Sequence, residues 1–309
     1  MQAYLSPVST FSGQVDLGGG HMRFAHRWSP GHEKPWGVLT VVHGFGDHGG
    51  RFAGMATSLA SIGLAVSAVD LVGHGRSPGR RGVIDSYDRL LDEVGMSLRY
   101  SSEIWPRVPQ FLFGQSMGGN LVINWILRCS NGEIPLWGAV AGAPMLKTPS
   151  MPREQIMNAG RWLAQRFPNL RLPAPVQVDK LSQDRRAQDA YLRDPWVHRS
   201  MSLRLAASLI DSGLWAIEHA DRLRVPMLLM HGSDDTLTCP RGTQEFAERA
   251  GGIATHRGWQ GCRHDLHDEP QREQVFAFLT HWLKERCITV ARVPSPAPIP
   301  SPSRVRQAA

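Results

Sequence analysis

The sequence predicts an α/β protein, with a mostly parallel central sheet flanked by helices and a helical insertion late in the order of elements. Three observations carry this reading. Short apolar runs alternate with helical patterns along most of the 309 residues, the rhythm of parallel strands joined by crossover helices. The stretch Gly114-Gln115-Ser116-Met117-Gly118 falls where one such run stops and a helical pattern starts. Between Met145 and Gly213 the rhythm gives way to loops rich in proline (Pro149, Pro152, Pro168, Pro173, Pro175) and short helical stretches.

Taken in order, Met22 to Trp28 pairs through the Gly18-Gly19-Gly20 turn with the strand before it, forming an opening hairpin. Val38 to Val42 is continuously apolar apart from Thr40, as in a strand covered on both faces. Arg51 to Ile62 reads as a helix and Leu64 to Val69 as the next strand, after which Tyr87, Leu90, Leu91, Val94 and Leu98 lie on one helical face. Gln110 to Phe113 leads into the Ser116 turn, and Met117, Leu121, Val122, Trp125 and Ile126 mark the helix that follows. Leu136 to Ala141, Met227 to Met230 and Ala254 to Gly258 are further strands, and Val275, Phe276, Leu279, Trp282 and Leu283 stripe a closing helix.

The expected organisation is therefore a core made of residues 1–144 and 214–287, an insertion at 145–213 and a disordered Pro-rich tail at 288–309. The insertion follows a strand, so it can fold over the carboxyl edge of the sheet, where α/β proteins bind ligands. Trp162, Phe167, Leu209 and Leu214 are expected to pack it, with some of them lining a tunnel.

Composition narrows the class. With 42% hydrophobic residues the chain can bury a sizeable core. Met1 to Gly13 has neither a basic nor an apolar leader region, and Cys129, Cys239, Cys262 and Cys287 form no C-x-x-C pair. These features predict reduced thiols in a cytoplasmic protein and no structural zinc. The net charge of +7 is scattered and accompanies no nucleic-acid signature, so the partner expected is a small molecule, not a nucleic acid. A basic surface also suits peripheral contact with an anionic membrane. Oligomeric state is not legible.

Chemistry enters at Ser116. A serine hydroxyl needs an imidazole to take its proton and a carboxylate to orient that imidazole. When the serine sits on a strand-to-helix elbow, the acid and then the histidine follow it in the chain. Met227 to Met230 runs into His231-Gly232-Ser233-Asp234-Asp235, and the run after Gly258 reaches Gly261-Cys262-Arg263-His264-Asp265-Leu266-His267. The oxyanion of such a reaction needs two backbone N–H groups, for which the candidates are Met117, next to the serine, and Phe45, in the loop His43-Gly44-Phe45-Gly46-Asp47-His48-Gly49-Gly50.

Two other readings explain less. Gly44-x-Gly46-x-x-Gly49 with Asp70 fits a dinucleotide fingerprint but leaves the elbow and both downstream motifs without a purpose. His264, Asp265, His267 and Asp268, or His43, Asp47 and His48, offer metal-ligand chemistry but not the H-E-x-x-H spacing. Asp70 reads better as a structural carboxylate holding loop amides near Gly73 and Gly75.

Five motifs in this order, His43 to Phe52, Asp70 to Ser77, Gly114 to Gly119, Gly232 to Asp235 and His264 to His267, resemble the monoacylglycerol lipase and lysophospholipase branch of the α/β-hydrolases over roughly residues 15–285. The resemblance implies an α/β-hydrolase fold with an inserted helical lid. It assigns the nucleophile to Ser116, the acid to Asp235, the base to His264 and the oxyanion donors to Phe45 and Met117, with no cofactor and no metal. It also implies head-group contacts from Arg51, Tyr191 and His267. The family's glutamate at the base of the lid falls on Met145, a poor acceptor, which predicts a weak preference for glycerol esters unless Glu154 substitutes. The function expected is hydrolysis of carboxylic esters of single-chain acyl lipids through an acyl-enzyme. General esterase or thioesterase activity, or a fold kept for binding alone, are the alternatives.

Overall fold

The computed structural model describes residues 7–31, 33–129 and 134–291. Its centre is a sheet of eight strands: β1 (Val8–Asp16), β2 (Met22–Pro30), β3 (Gly37–Val42), β4 (Leu64–Val69), β5 (Gln110–Gln115), β6 (Leu136–Gly142), β9 (Met227–Gly232) and β10 (Ala254–Trp259). They lie in the order β1-β2-β4-β3-β5-β6-β9-β10. β2 runs antiparallel to both of its neighbours, and all other pairs are parallel. Every residue of β3, β4, β5 and β9 is buried, which is why these strands read as unbroken apolar runs in the sequence.

Successive side chains point to opposite faces, and two cores result. Leu112, Met227 and Leu229 face α2 (Tyr87–Ile104), α3 (Met117–Arg128), α6 (Leu203–Glu218) and α7 (Pro240–Ala250). Phe111, Phe113, Leu228 and Met230 face α1 (Ala53–Ser61) and α8 (Arg272–Ala291). Burying each such side chain contributes about 1.5–3 kcal/mol relative to leaving it in water.

The remaining elements come from the insertion: α4 (Glu154–Arg166), β7 (Arg171–Pro173), α5 (Arg185–Arg193) and β8 (Ser200–Ser202), with β7 and β8 paired in a small antiparallel sheet. Backbone bonds tie this segment over the carboxyl edge, from His198 N–H to the Gly46 carbonyl, Ser202 N–H to the Gly82 carbonyl and Asp265 N–H to the Leu181 carbonyl. Gly46 has φ of 70°, and a Cβ there would sit 2.2 Å from the His198 carbonyl oxygen, so only glycine permits this approach.

Several expected boundaries move. Gly213 falls inside α6, whose Leu205, Leu209, Ala216 and Ile217 join the core beside α3, so the insertion ends before that helix. α8 continues to Ala291, past Cys287 where the sequence put the end of the core. Most of the expected Pro-rich tail, 292–309, lies outside the described residues. Trp162 and Phe167 do not pack the insertion, being 62% and 48% exposed. No helix among the described residues is long and apolar enough to cross a membrane.

Candidate active site

Four strand ends converge at the carboxyl edge. β5 delivers Ser116, the residue that caps α3, with φ of 57° and ψ of −115°. That left-handed conformation is costly for a residue with a side chain, and the surrounding fold must impose it. A Cβ on Gly118 would sit 2.0 Å from the Val42 carbonyl oxygen, so the glycine after the serine is required by the approach of β3. Met117 is the first residue of α3, and its N–H has no carbonyl four residues back within the helix to bond. β3 ends in the loop that carries Phe45.

β9 ends in the turn that carries Asp235, and β10 leads to His264. His264 Nδ1 lies 2.7 Å from Asp235 Oδ2. Asp235 Oδ1 accepts the N–H groups of Leu237 at 2.7 Å and Thr238 at 3.1 Å. Burial favours the neutral acid, but the attraction and hydrogen bonds of His264 and His231 outweigh it and hold the carboxyl well below the usual carboxylate range. Burial likewise opposes charge on His264, yet the Asp235 carboxylate prevails and raises its basicity above that of an ordinary imidazole. Gln115, next to the serine, donates from Nε2 to the His264 carbonyl at 3.0 Å and to Asp265 Oδ1 at 3.2 Å. It fastens the histidine loop to the elbow strand.

Ser116 and His264 share one cavity of about 370 Å3, together with Phe45 and Met117, a size within the ordinary range for small-molecule sites. Its walls are mostly apolar. Leu209 and Ile210 come from α6 and Val176, Leu181 and Met201 from the insertion. Polar groups are few, and Asp47, Tyr191 and Asp265 are among them.

Of the three head-group residues implied by resemblance, only Tyr191 lines this cavity. It is buried, and desolvation together with the charge on Asp47 pushes its phenol up to about 12. Arg51 lies behind the wall, its Nε 2.9 Å from Asp47 and its Nη2 3.3 Å from Asp268 and 3.9 Å from Asp265, with the guanidinium 4.8 Å from the centre of the Tyr191 ring. It ties the loop after β3, the histidine loop and the insertion together. His267 is stacked on Phe52 at 4.6 Å between ring centres and does not line the cavity. Glu154 is exposed on α4 and does not line it either. Met145 does, and so does Asp47, whose Oδ1 accepts from the His48 N–H at 2.8 Å.

Asp70 is structural as expected: it accepts from Arg76 N–H, next to Gly75, and also from Gly49 N–H in the loop after β3, at 2.8 Å each. Among the described residues, two groups have ligand atoms close enough to share an ion: His26 with His48 and Asp70, and Asp265 with His267 and Asp268. In the first, His48 Nε2 is bonded to Asp194 at 2.9 Å. In the second, Arg51 already supplies the cation. Gln115, His231 and Thr238 bond to the His264 loop or to Asp235, and Asp47 lines the cavity; the sequence reading gave none of them a place beside Ser116. The signal for His231 and Thr238 was their spacing around Asp235, four residues before and three after.

A family model described as Serine aminopeptidase, S33 matches residues 33–271. The chain belongs to that family. It is 27% identical over 281 residues to the "Monoacylglycerol lipase" of Mycolicibacterium smegmatis, covering 89% of this chain and 98% of that one. It is 29% identical over 261 residues to an uncharacterized abhydrolase domain-containing protein of Dictyostelium discoideum, covering 84% of this chain but spanning only 27% of the longer relative. Among solved structures, the crystal structure of Paleococcus ferrophilus monoacylglycerol lipase superimposes with a TM-score of 0.75 at 27% identity, covering 85% of this chain and 99% of that one. With the strand order described above, this makes the architecture an α/β-hydrolase fold.

Proposed function

We propose that this protein is a serine hydrolase that cleaves carboxylic esters of single-chain acyl lipids. The observation that carries the reading is His264, bonded to Asp235 behind it, lining the same apolar cavity as a serine held in a strained elbow. Ser116 Oγ attacks the ester carbonyl while His264 Nε2 takes its proton. Asp235 stabilises the imidazolium that forms. The N–H groups of Phe45 and Met117 receive the oxyanion. His264 then returns the proton to the leaving alcohol, and water attacks the acyl-Ser116 ester with His264 again as base.

Cavity chemistry supports the substrate class. Its apolar walls suit one acyl chain, and its acidic groups, Asp47 and Asp265, suit an uncharged polyol leaving group better than a phosphate anion. The monoacylglycerol lipases among its relatives agree with this. On this reading Asp47 stands in as an acceptor near Met145, so the glycerol preference is expected to be stronger than Met145 alone implies.

The outer face of the insertion supports delivery from a membrane. Ile156, Trp162, Leu163, Phe167, Leu170 and Leu172 are all exposed on α4 and the segment after it, and Arg153, Arg166 and Arg171 are exposed between them. An apolar surface interleaved with arginines suits the interface of an anionic bilayer.

Ser116→Ala tests the activity. Turnover of p-nitrophenyl esters should vanish with an unchanged melting temperature, and retained turnover would refute the assignment. A panel of monoacylglycerol, lysophosphatidylcholine and an aminoacyl p-nitroanilide tests the substrate. Monoacylglycerol should be cleaved fastest and the anilide least, and the reverse order would point to peptidase chemistry.

A further inference from the structure

Asp235 serves two histidines. The oxygen that receives His264 Nδ1, Oδ2, is also 2.9 Å from His231 Nε2 and 2.8 Å from Thr238 Oγ1. His231 lies on β9, is 1% exposed and does not line the cavity. Its other nitrogen, Nδ1, is 2.8 Å from Thr243 Oγ1 on α7. A carboxylate can only accept, whereas a hydroxyl can donate, so the arrangement places the His231 proton on Nε2 and has Thr243 donate to Nδ1. Both ring nitrogens are then satisfied with the ring neutral. Burial keeps it so, outweighing the attraction of Asp235.

We propose that His231 is a positioning residue for the acid–base pair: its Nε2–H fixes Asp235 Oδ2 toward His264 and moderates the basicity of the carboxylate, thereby setting the pH at which His264 becomes an active base. This rests on the serine-hydrolase reading. A carboxylate that loses a donor holds its charge less stably and attracts an adjacent imidazolium more strongly. Removing His231 therefore raises the proton affinity of His264. His264 is faced by Asp235, Asp265 and Asp47, and His231 by Asp235, His264 and, from β10, His256. Asp235 is the acid that bonds both rings, so a change at His231 reaches His264 through it.

The test is the pH dependence of kcat/KM on a p-nitrophenyl ester for the wild type, His231→Leu, His231→Gln and Thr243→Val, with thermal melting to confirm folding. Leucine fills the space without donating. His231→Leu should move the acid limb up by about one pH unit, lowering kcat/KM well below the limb about tenfold, what the loss of one hydrogen bond to a charged group converts to, with the high-pH plateau and KM unchanged. Glutamine carries an amide N–H to the place of Nε2, so His231→Gln should return the limb close to the wild-type position. Thr243→Val frees Nδ1 and should shift the limb in the same direction by less. An unchanged limb in His231→Leu, or His231→Gln as displaced as His231→Leu, would overturn the inference. If His231→Leu does not fold, an unchanged limb in Thr243→Val overturns it instead. A wild type that turns over esters only when Ser116 is intact separates failure of this inference from failure of the serine-hydrolase reading, which would take both.

Discussion

The floor and the roof of the cavity are built on opposite terms. On the floor, Asp235, His264 and Gln115 are buried and bonded, and each hangs from the end of a parallel strand. In the insertion above it, α4 adds nothing to the cavity lining, buries only Ala164 of its thirteen residues and leaves Trp162 and Ile156 more than 60% exposed. The floor is fixed because its side chains must meet to within a hydrogen bond for proton transfer to proceed. The roof has no such requirement. On the proposed reading it has to admit a greasy substrate, and the exposed apolar residues of its outer face are what that reading expects of a surface that meets a lipid phase.

The largest effect that can sharpen this contrast is on the floor. Asp235→Asn preserves shape but removes the charge that holds His264 in the required tautomer and steadies its protonated form. Ester kcat should fall by about 10³–10⁴ with KM little changed, and a loss below tenfold would detach Asp235 from the chemistry.

The seam between floor and roof comes next. Arg51→Leu leaves Asp47, Asp265 and Asp268 without their shared cation, and breaking a buried ion pair costs about 3–5 kcal/mol. Chemical denaturation should record a loss of that order. A loss below about 1 kcal/mol would place Arg51 among solvated surface charges.

Changes to the roof should divide substrates. Trp162→Asp combined with Phe167→Asp should leave soluble p-nitrophenyl acetate turnover unchanged and lower hydrolysis of monoacylglycerol in phosphatidylglycerol-containing vesicles about tenfold. Equal loss on both substrates would make the roof part of the catalytic floor. The smallest effect is positional: the acid limb of kcat/KM should lie above pH 6.5, because Asp235 raises His264 above that ordinary value despite burial. Activity is then lost as pH falls and His264 takes a proton. A limb below 6.5 would mean that burial, and not Asp235, governs the base.

The same division decided what could be read from sequence. Strands buried on both faces announce themselves as apolar runs, and the predicted limits of β4 coincide with the observed Leu64–Val69. The elbow was legible because Gly114, whose Cβ would meet the Gly118 carbonyl, and Ser116, with its positive φ, answer a local backbone demand. Arg51 and His267 were placed at the cavity by the family resemblance, but their direction depends on Asp268 and Phe52, which only the folded packing brings to them. Trp162 and Phe167 were expected to pack because apolar residues usually do, and an exposed apolar face carries the same local pattern as a packed one. His231 was overlooked for a related reason: its meaning lies in sharing an acceptor with His264, across 33 positions of sequence and two strands.

Acid-quenched mass spectrometry during turnover of a p-nitrophenyl ester tests the central claim most directly. The account predicts a burst of p-nitrophenol equal to the enzyme concentration and an acyl group on the peptide that carries Ser116. Linear release with no acyl adduct, continuing in Ser116→Ala and abolished by EDTA, would contradict it.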